Sequence, residues 1–152
     1  MKENVTQDNV ILELEKTIRN VRESFNSVFQ KKHFGVSYDQ WLIIEQVMYR
    51  QGISQIEIAN NTGKDRASIS RIIKNLLQKG LLTKIHNEAN KRANKVYLTP
   101  NGLELSDRII SVYQEVYQSQ FVGIYEREMN FLKDILVRIN QNKFVSAKTA
   151  AL

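Results

Sequence analysis

The sequence predicts a mainly α-helical fold carrying one small β-hairpin, and three observations predict it. Apolar residues recur at helical spacing through most of the chain. Helix-start signals are spelled out at Ser37 with Gln40, at Ser54 with Glu57, and at Thr99 with Pro100. Only residues 82–86 and 95–98 change to an alternating or nearly alternating pattern, on either side of a polar stretch suited to a hairpin loop.

The chain has 152 residues, 42% hydrophobic and 25% charged, which is enough for a single domain, residues 1–152, with its own core. It has no cysteine, which excludes disulfides, thiolate metal sites and thiol-based redox sensing. His33 and His86 are too isolated to make a metal site, so no metal or other cofactor is expected. The opening MKENVTQDNV has no apolar signal core, and the longest apolar runs fall far short of the roughly 18 residues of a membrane span. A cytoplasmic protein with no membrane partner is expected.

Residues 1–9 are polar and expected to fray. Over 10–30, Leu14, Ile18, Val21, Phe25 and Val28 form one apolar stripe, which makes a helix that needs a partner surface. A connection through Gly35 leads to the Ser37 capping box and a second helix over 38–50, with Trp41, Ile44, Val47 and Met48 on one side. At that spacing Trp41 serves packing rather than ligand binding. Ser54 and Glu57 cap a short third helix that turns Ile58 and Ala59 inward. Asn61, Thr62 and Gly63 make a turn, and Asp65 stands at the N-cap of the next helix. A short helix, a glycine turn and a longer two-faced helix make a helix-turn-helix.

That longer helix, 65–79, is the one around which the rest is arranged. Ile69, Ile72, Ile73, Leu76 and Leu77 fall on one side at about 100° per residue, and Ala67, Ser70, Arg71, Lys74 and Gln78 on the other. Gly80 stops it. The hairpin over 82–98 follows as a wing whose loop carries Lys91 and Arg92. Thr99 as N-cap and Pro100 at N1 open a helix over 101–123 with a broad apolar side, and a last helix spans 126–140. The tail, SAKTAAL, is expected to be loose.

Net charge is +6, and nine cations against two anions are concentrated between Lys64 and Lys95. The rest of the chain is therefore close to neutral. A basic segment on a neutral body is an electrostatic footprint for phosphate. The expected partner is double-stranded DNA. Base readout falls to Arg66, Ser68, Ser70 and Arg71, with Ala67 allowing close approach, and phosphate anchoring falls to Lys64, Lys74 and Lys91. Arg92 at the wing tip fits a minor groove, against the alternative of a solvated loop. The amphipathic helices outside the helix-turn-helix and wing have apolar faces to bury, which favours a homodimer reading two half-sites. The competing reading is a winged-helix interaction module docking an acidic protein. The small residues at the start of helix 65–79 speak against it, because protein interfaces favour aromatic anchors. An enzyme is not expected: no nucleophile lies beside either histidine and no phosphate-cradling glycine loop occurs.

Five stretches together resemble the MarR family of bacterial transcription regulators: 37–41 (SYDQW), 54–59 (SQIEIA), 65–71 (DRASISR), 76–82 (LLQKGLL) and 96–102 (VYLTPNG). The resemblance runs over about 25–136. It implies a winged helix-turn-helix at 37–99, and dimerisation helices at 10–30 and 101–140. It also implies a major-groove role for the helix at Asp65 and a pseudo-palindromic operator. Arg66, Ala67, Ser68, Ser70, Arg71 and Lys74 fall on family positions used for bases and phosphates, and Arg92 on the wing-tip arginine. It further implies a small aromatic or phenolic effector near a junction where Phe29, His33, Phe34, Tyr38 and Trp41 lie; these residues are not assigned as ligands, because aromatic side chains at a helix junction are more often core than pocket. The sequence departs from the family at Asn90, where an aspartate is usual, and at Thr62 and Lys64, where apolar residues usually flank the turn glycine. The first weakens the wing's expected salt bridge. The second predicts a looser turn and adds Lys64 as a phosphate contact.

Overall fold

The computed structural model describes residues 7–85 and 94–142. Two units are distinguished, the first ending at Tyr117 and the second beginning at Gln118. In order, the chain forms α1 (Gln7–Lys31), α2 (Tyr38–Tyr49), β1 (Ile53–Ser54), α3 (Gln55–Thr62), α4 (Arg66–Gln78), β2 (Leu82–Ile85), β3 (Lys95–Leu98), α5 (Pro100–Gln120) and α6 (Glu126–Gln141). Among the described residues no helix is long and apolar enough to cross a membrane.

The first unit is built where the local signals direct it. Ser37 and Ser54 each close a full capping box, with Gln40 and Glu57 reaching back to the cap amide. Gly63 ends α3 in the left-handed conformation at φ 65°, and Asp65 caps α4 by accepting from the Ser68 amide at 2.8 Å. The Thr99 hydroxyl accepts from the Gly102 amide at 3.0 Å and donates to the Gly80 carbonyl at 2.6 Å, so one side chain starts α5 and ties it to the end of α4.

The sheet has three antiparallel strands in the order β1-β3-β2. Leu82 lies opposite Leu98 and Lys84 opposite Val96, which sets Leu82, Val96 and Leu98 on the buried face. The third strand, β1, is absent from the sequence expectation because two residues show no period; it exists through pairing Ile53 with Val96. The Gln51 side chain then accepts from the Leu98 amide at 3.0 Å and extends this edge.

The core lies where α2, α4 and the sheet meet α1 and α5. Trp41, Ile43, Ile44, Val47, Ile69 and Ile73 are all within 1% of complete burial. Ile43 was outside the expected stripe, because α2 is enclosed on more than one side and its short apolar run does not show a single face. In α1 the stripe shifts: Ile18 is exposed and Phe29 is buried. Phe25 is stacked between Tyr38 and Tyr113, with ring centroids 4.7 and 4.8 Å away. Of the junction aromatics, Phe29, Phe34 and Trp41 are core residues and Tyr38 packs against them, while His33 stands exposed at φ 54°. α5 ends at Gln120, three residues before the expected Gly123.

In the second unit no residue of α6 is buried, and Phe131, Leu132, Val137 and Ile139 along it are exposed.

Candidate nucleic-acid interface

The site is the outward face of α4 and its setting. Ile69, Ile73 and Leu76 anchor the helix by complete burial, which fixes its rotation about its own axis. Ala67, Ser70, Arg71 and Lys74 are consequently exposed together on the side turned away from the core, and Arg66, in the first turn at the edge of that face, is exposed as well. Among the described residues, Arg66, Arg71 and Lys74 take part in none of the ion pairs. Three cations and two small side chains on one helix face can reach a polyanion without first breaking internal contacts.

Asp65 shapes the start of this face. Hydrogen bonds from the Ser68 hydroxyl, at 2.6 Å, and the Ser68 amide hold its carboxyl below the usual aspartate range. The anion also sits at the positive end of α4. Ser68, expected to read bases, therefore commits its hydroxyl proton to Asp65 and is only half-exposed. Its oxygen remains able to accept.

Lys64, expected as a phosphate contact, is held differently. Its ammonium donates to Asp39 Oδ1 at 3.0 Å, and its side chain is 20% exposed. Thr62, the other polar flank of the turn, donates to the Ile58 carbonyl at 2.7 Å. The turn is thus closed by polar contacts in place of apolar ones. Lys91 and Arg92, with the departure Asn90, lie outside the described residues.

Sequence reasoning gave no role to Asp39, Asn75 or Lys79. Gln40 Nε2 donates to Asn75 Oδ1 at 2.7 Å, and the Lys79 ammonium donates to Gln40 Oε1 at 3.1 Å and to the Gly35 carbonyl. The available signal was an acidic residue beside a capping serine, which reads only as a dipole partner. Beside Lys79 lies an open cleft of about 610 Å³ walled by Asn26, Phe29, His33, Ser37 and Gln40. Among the described residues no group of three His, Cys, Asp or Glu side chains is placed to hold a metal.

Comparison with known proteins bears on this arrangement. Residues 34–93 match the MarR family. Over 89 residues the chain is 28% identical to an uncharacterised HTH-type transcriptional regulator of Staphylococcus aureus, a match covering 59% of this chain and spanning 60% of the relative's length. The crystal structure of the transcriptional regulator SlyA is similar at 28% identity and a TM-score of 0.77, over 88% of this chain and 92% of that one. BpsR of Bordetella bronchiseptica, whose DNA binding is regulated by 6-hydroxynicotinic acid, shares the fold at 20% identity and a TM-score of 0.76, over 88% of this chain and 99% of that one. The helix-turn-helix with its three-stranded sheet and these likenesses agree on one point: over residues 34–93 the chain is similar to the MarR family, and it spans about 60% of the length of the curated relatives it matches.

Proposed function

We propose that the chain is a sequence-specific, DNA-binding transcriptional regulator that acts as a homodimer on a pseudo-palindromic operator. The observation that carries this reading is the exposed face of α4, where Arg66, Arg71 and Lys74 stand unpaired among the described residues beside Ala67 and Ser70. Residues 37–99 do the reading in this proposal. The N-terminal half of α4 enters the major groove, Arg66, Ser70 and Arg71 reach base edges, and Lys74 anchors to phosphate. Lys91 and Arg92 belong to the wing and complete the grip.

Pairing of two copies falls to the helices over 10–30 and 101–140. Its support is the apolar surface left open: Ile11 and Ile18 on α1, and Phe131 and Ile139 on α6, are exposed. The cleft beside Lys79 and His33 suits a small aromatic or phenolic anion, with Phe29 and Val36 supplying apolar wall.

Selection of bound fragments from the source organism's own DNA tests the reading, with and without a panel of phenolic carboxylates. A consensus with two half-sites about one helical turn apart is expected. Affinity for it should fall steeply with added salt, by a log–log slope of about 0.9 for each phosphate contacted. Recovery of no consensus, with capture of acidic proteins in its place, would move the reading to a protein-docking module.

A further inference from the structure

We propose that Asp39 is a positioning residue for the DNA-reading helix, and that Lys64 is its internal partner. The inference rests on the DNA-binding reading of α4. Three neighbouring residues, Tyr38, Asp39 and Gln40, form the first turn of α2 and reach three other parts of the first unit. The Tyr38 amide donates to Asn26 Oδ1 on α1 at 2.8 Å. Asp39 Oδ1 receives the Lys64 ammonium at 3.0 Å and lies 3.5 Å from an Arg22 guanidinium nitrogen, also on α1. Gln40 holds Asn75, in the last turn of α4, at 2.7 Å.

One turn of helix therefore grips α4 at both ends and fastens that grip to α1. Lys64 is the residue immediately before the Asp65 N-cap, so what fixes Lys64 fixes where α4 begins. The apolar contact of α4 with the core sets its roll, through Ile69, Ile73 and Leu76. Roll alone does not set tilt. Side chains reading base edges must be held to within fractions of an ångström, and two polar anchors near the ends of the helix supply that restraint. At 20% and 33% exposure the Lys64 and Asp39 side chains are partly withdrawn from water, where an ion pair is screened less than on the open surface.

The two roles open to these residues differ in sign. An aspartate that only adds negative charge near DNA opposes binding, and its neutralisation tightens binding. An aspartate that positions α4 favours specific binding, and its neutralisation weakens it. A lysine on phosphate contributes to the salt slope, whereas a lysine on Asp39 does not.

The test compares wild type, Asp39→Asn, Asp39→Glu, Lys64→Gln and the double Asp39→Asn/Lys64→Gln. The probes are the fragment most enriched by wild type from genomic DNA and a scrambled duplex of equal length. Asp39→Asn and Lys64→Gln are each expected to weaken specific binding about tenfold, with the double variant no weaker than either single one. The Lys64→Gln salt slope and all affinities for the scrambled duplex should match wild type, and Asp39→Glu should recover part of the loss. Unchanged or tighter specific binding by Asp39→Asn would overturn the proposal. So would a Lys64→Gln slope lower by about one.

Hydrogen exchange on the free proteins provides a readout without DNA. Amides of residues 65–70 are expected to exchange about fivefold faster in Asp39→Asn and Lys64→Gln, with those of 41–47 unchanged. If wild type enriches no fragment, the DNA-binding reading fails and exchange alone decides whether Asp39 positions α4. Equal exchange in all variants then overturns the positioning role.

Discussion

A β-carbon placed on Gly102 would lie 2.1 Å from the carbonyl oxygen of Leu81. The obstacle is backbone, and that carbonyl is itself held by the Thr99 amide at 3.1 Å, so it cannot swing aside without breaking the start of α5. Gly102 is helical and buried, which means that glycine is needed here for close approach and not for an unusual φ. Gly102→Ala should lower stability by about 2–3 kcal/mol, at the upper end of overpacking effects. Urea denaturation should show a lower midpoint at an unchanged m-value. A midpoint equal to wild type would mean that α5 can move away from Leu81 freely.

Most of the first unit is legible in the sequence because its punctuation is local. Ser37, Ser54, Gly63, Asp65 and Thr99 act within three residues of themselves, and each does in the structure what its position implies. What is not legible depends on distant partners. β1 exists because Ile53 pairs with Val96, and Gln51 completes that edge from 47 residues away. The candidate site divides in the same way. The exposure of Arg71 and Lys74 follows from helical period alone. The withdrawal of Lys64 onto Asp39, 25 residues earlier, follows only from how α2 crosses the turn.

Arg71 and Lys74 should fail differently on the selected fragment. Arg71→Ala removes a planar donor fork suited to a guanine edge, so specific affinity should fall by about 1–3 kcal/mol and preference at one position of each half-site should relax. Lys74→Ala should weaken specific and scrambled duplexes alike and lower the salt slope by about one. Fluorescence anisotropy titrations over a salt series separate the two. Equal loss of slope in both variants would place Arg71 on phosphate.

Asp65 links the reading helix to pH. Its bonds from Ser68 hold its folded-state value below that of the unfolded chain. A depressed carboxyl contributes stability that is present above the unfolded value, near 3.9, and lost as pH falls through the folded one. Asp65→Ala should therefore melt below wild type at neutral pH, with the gap closing as pH falls through that interval. Ser68→Ala should narrow the gap too, because it removes the hydroxyl that donates to the Asp65 carboxylate. Thermal melts from neutral pH down to the acid limit would show a constant gap if the cap owed nothing to charge.

Glu45 has the opposite sign. Half-buried on α2, it has its carboxyl pushed above the usual glutamate range by burial. Such a group binds its proton more tightly in the folded chain, so stability falls as pH rises from the unfolded value, near 4.3, through the raised one. The full penalty is present above the raised value. Glu45→Gln keeps the shape and removes the charge, and should melt above wild type at neutral pH. That advantage should shrink as pH falls and vanish below the unfolded value, where wild-type Glu45 is neutral as well. Nearby Tyr38 and Tyr113 do not confuse the experiment, because burial raises both hydroxyls above the ordinary tyrosine range, far from these pH values. A Glu45→Gln variant less stable than wild type at neutral pH would mean that the carboxylate is held by attractions stronger than its loss of water.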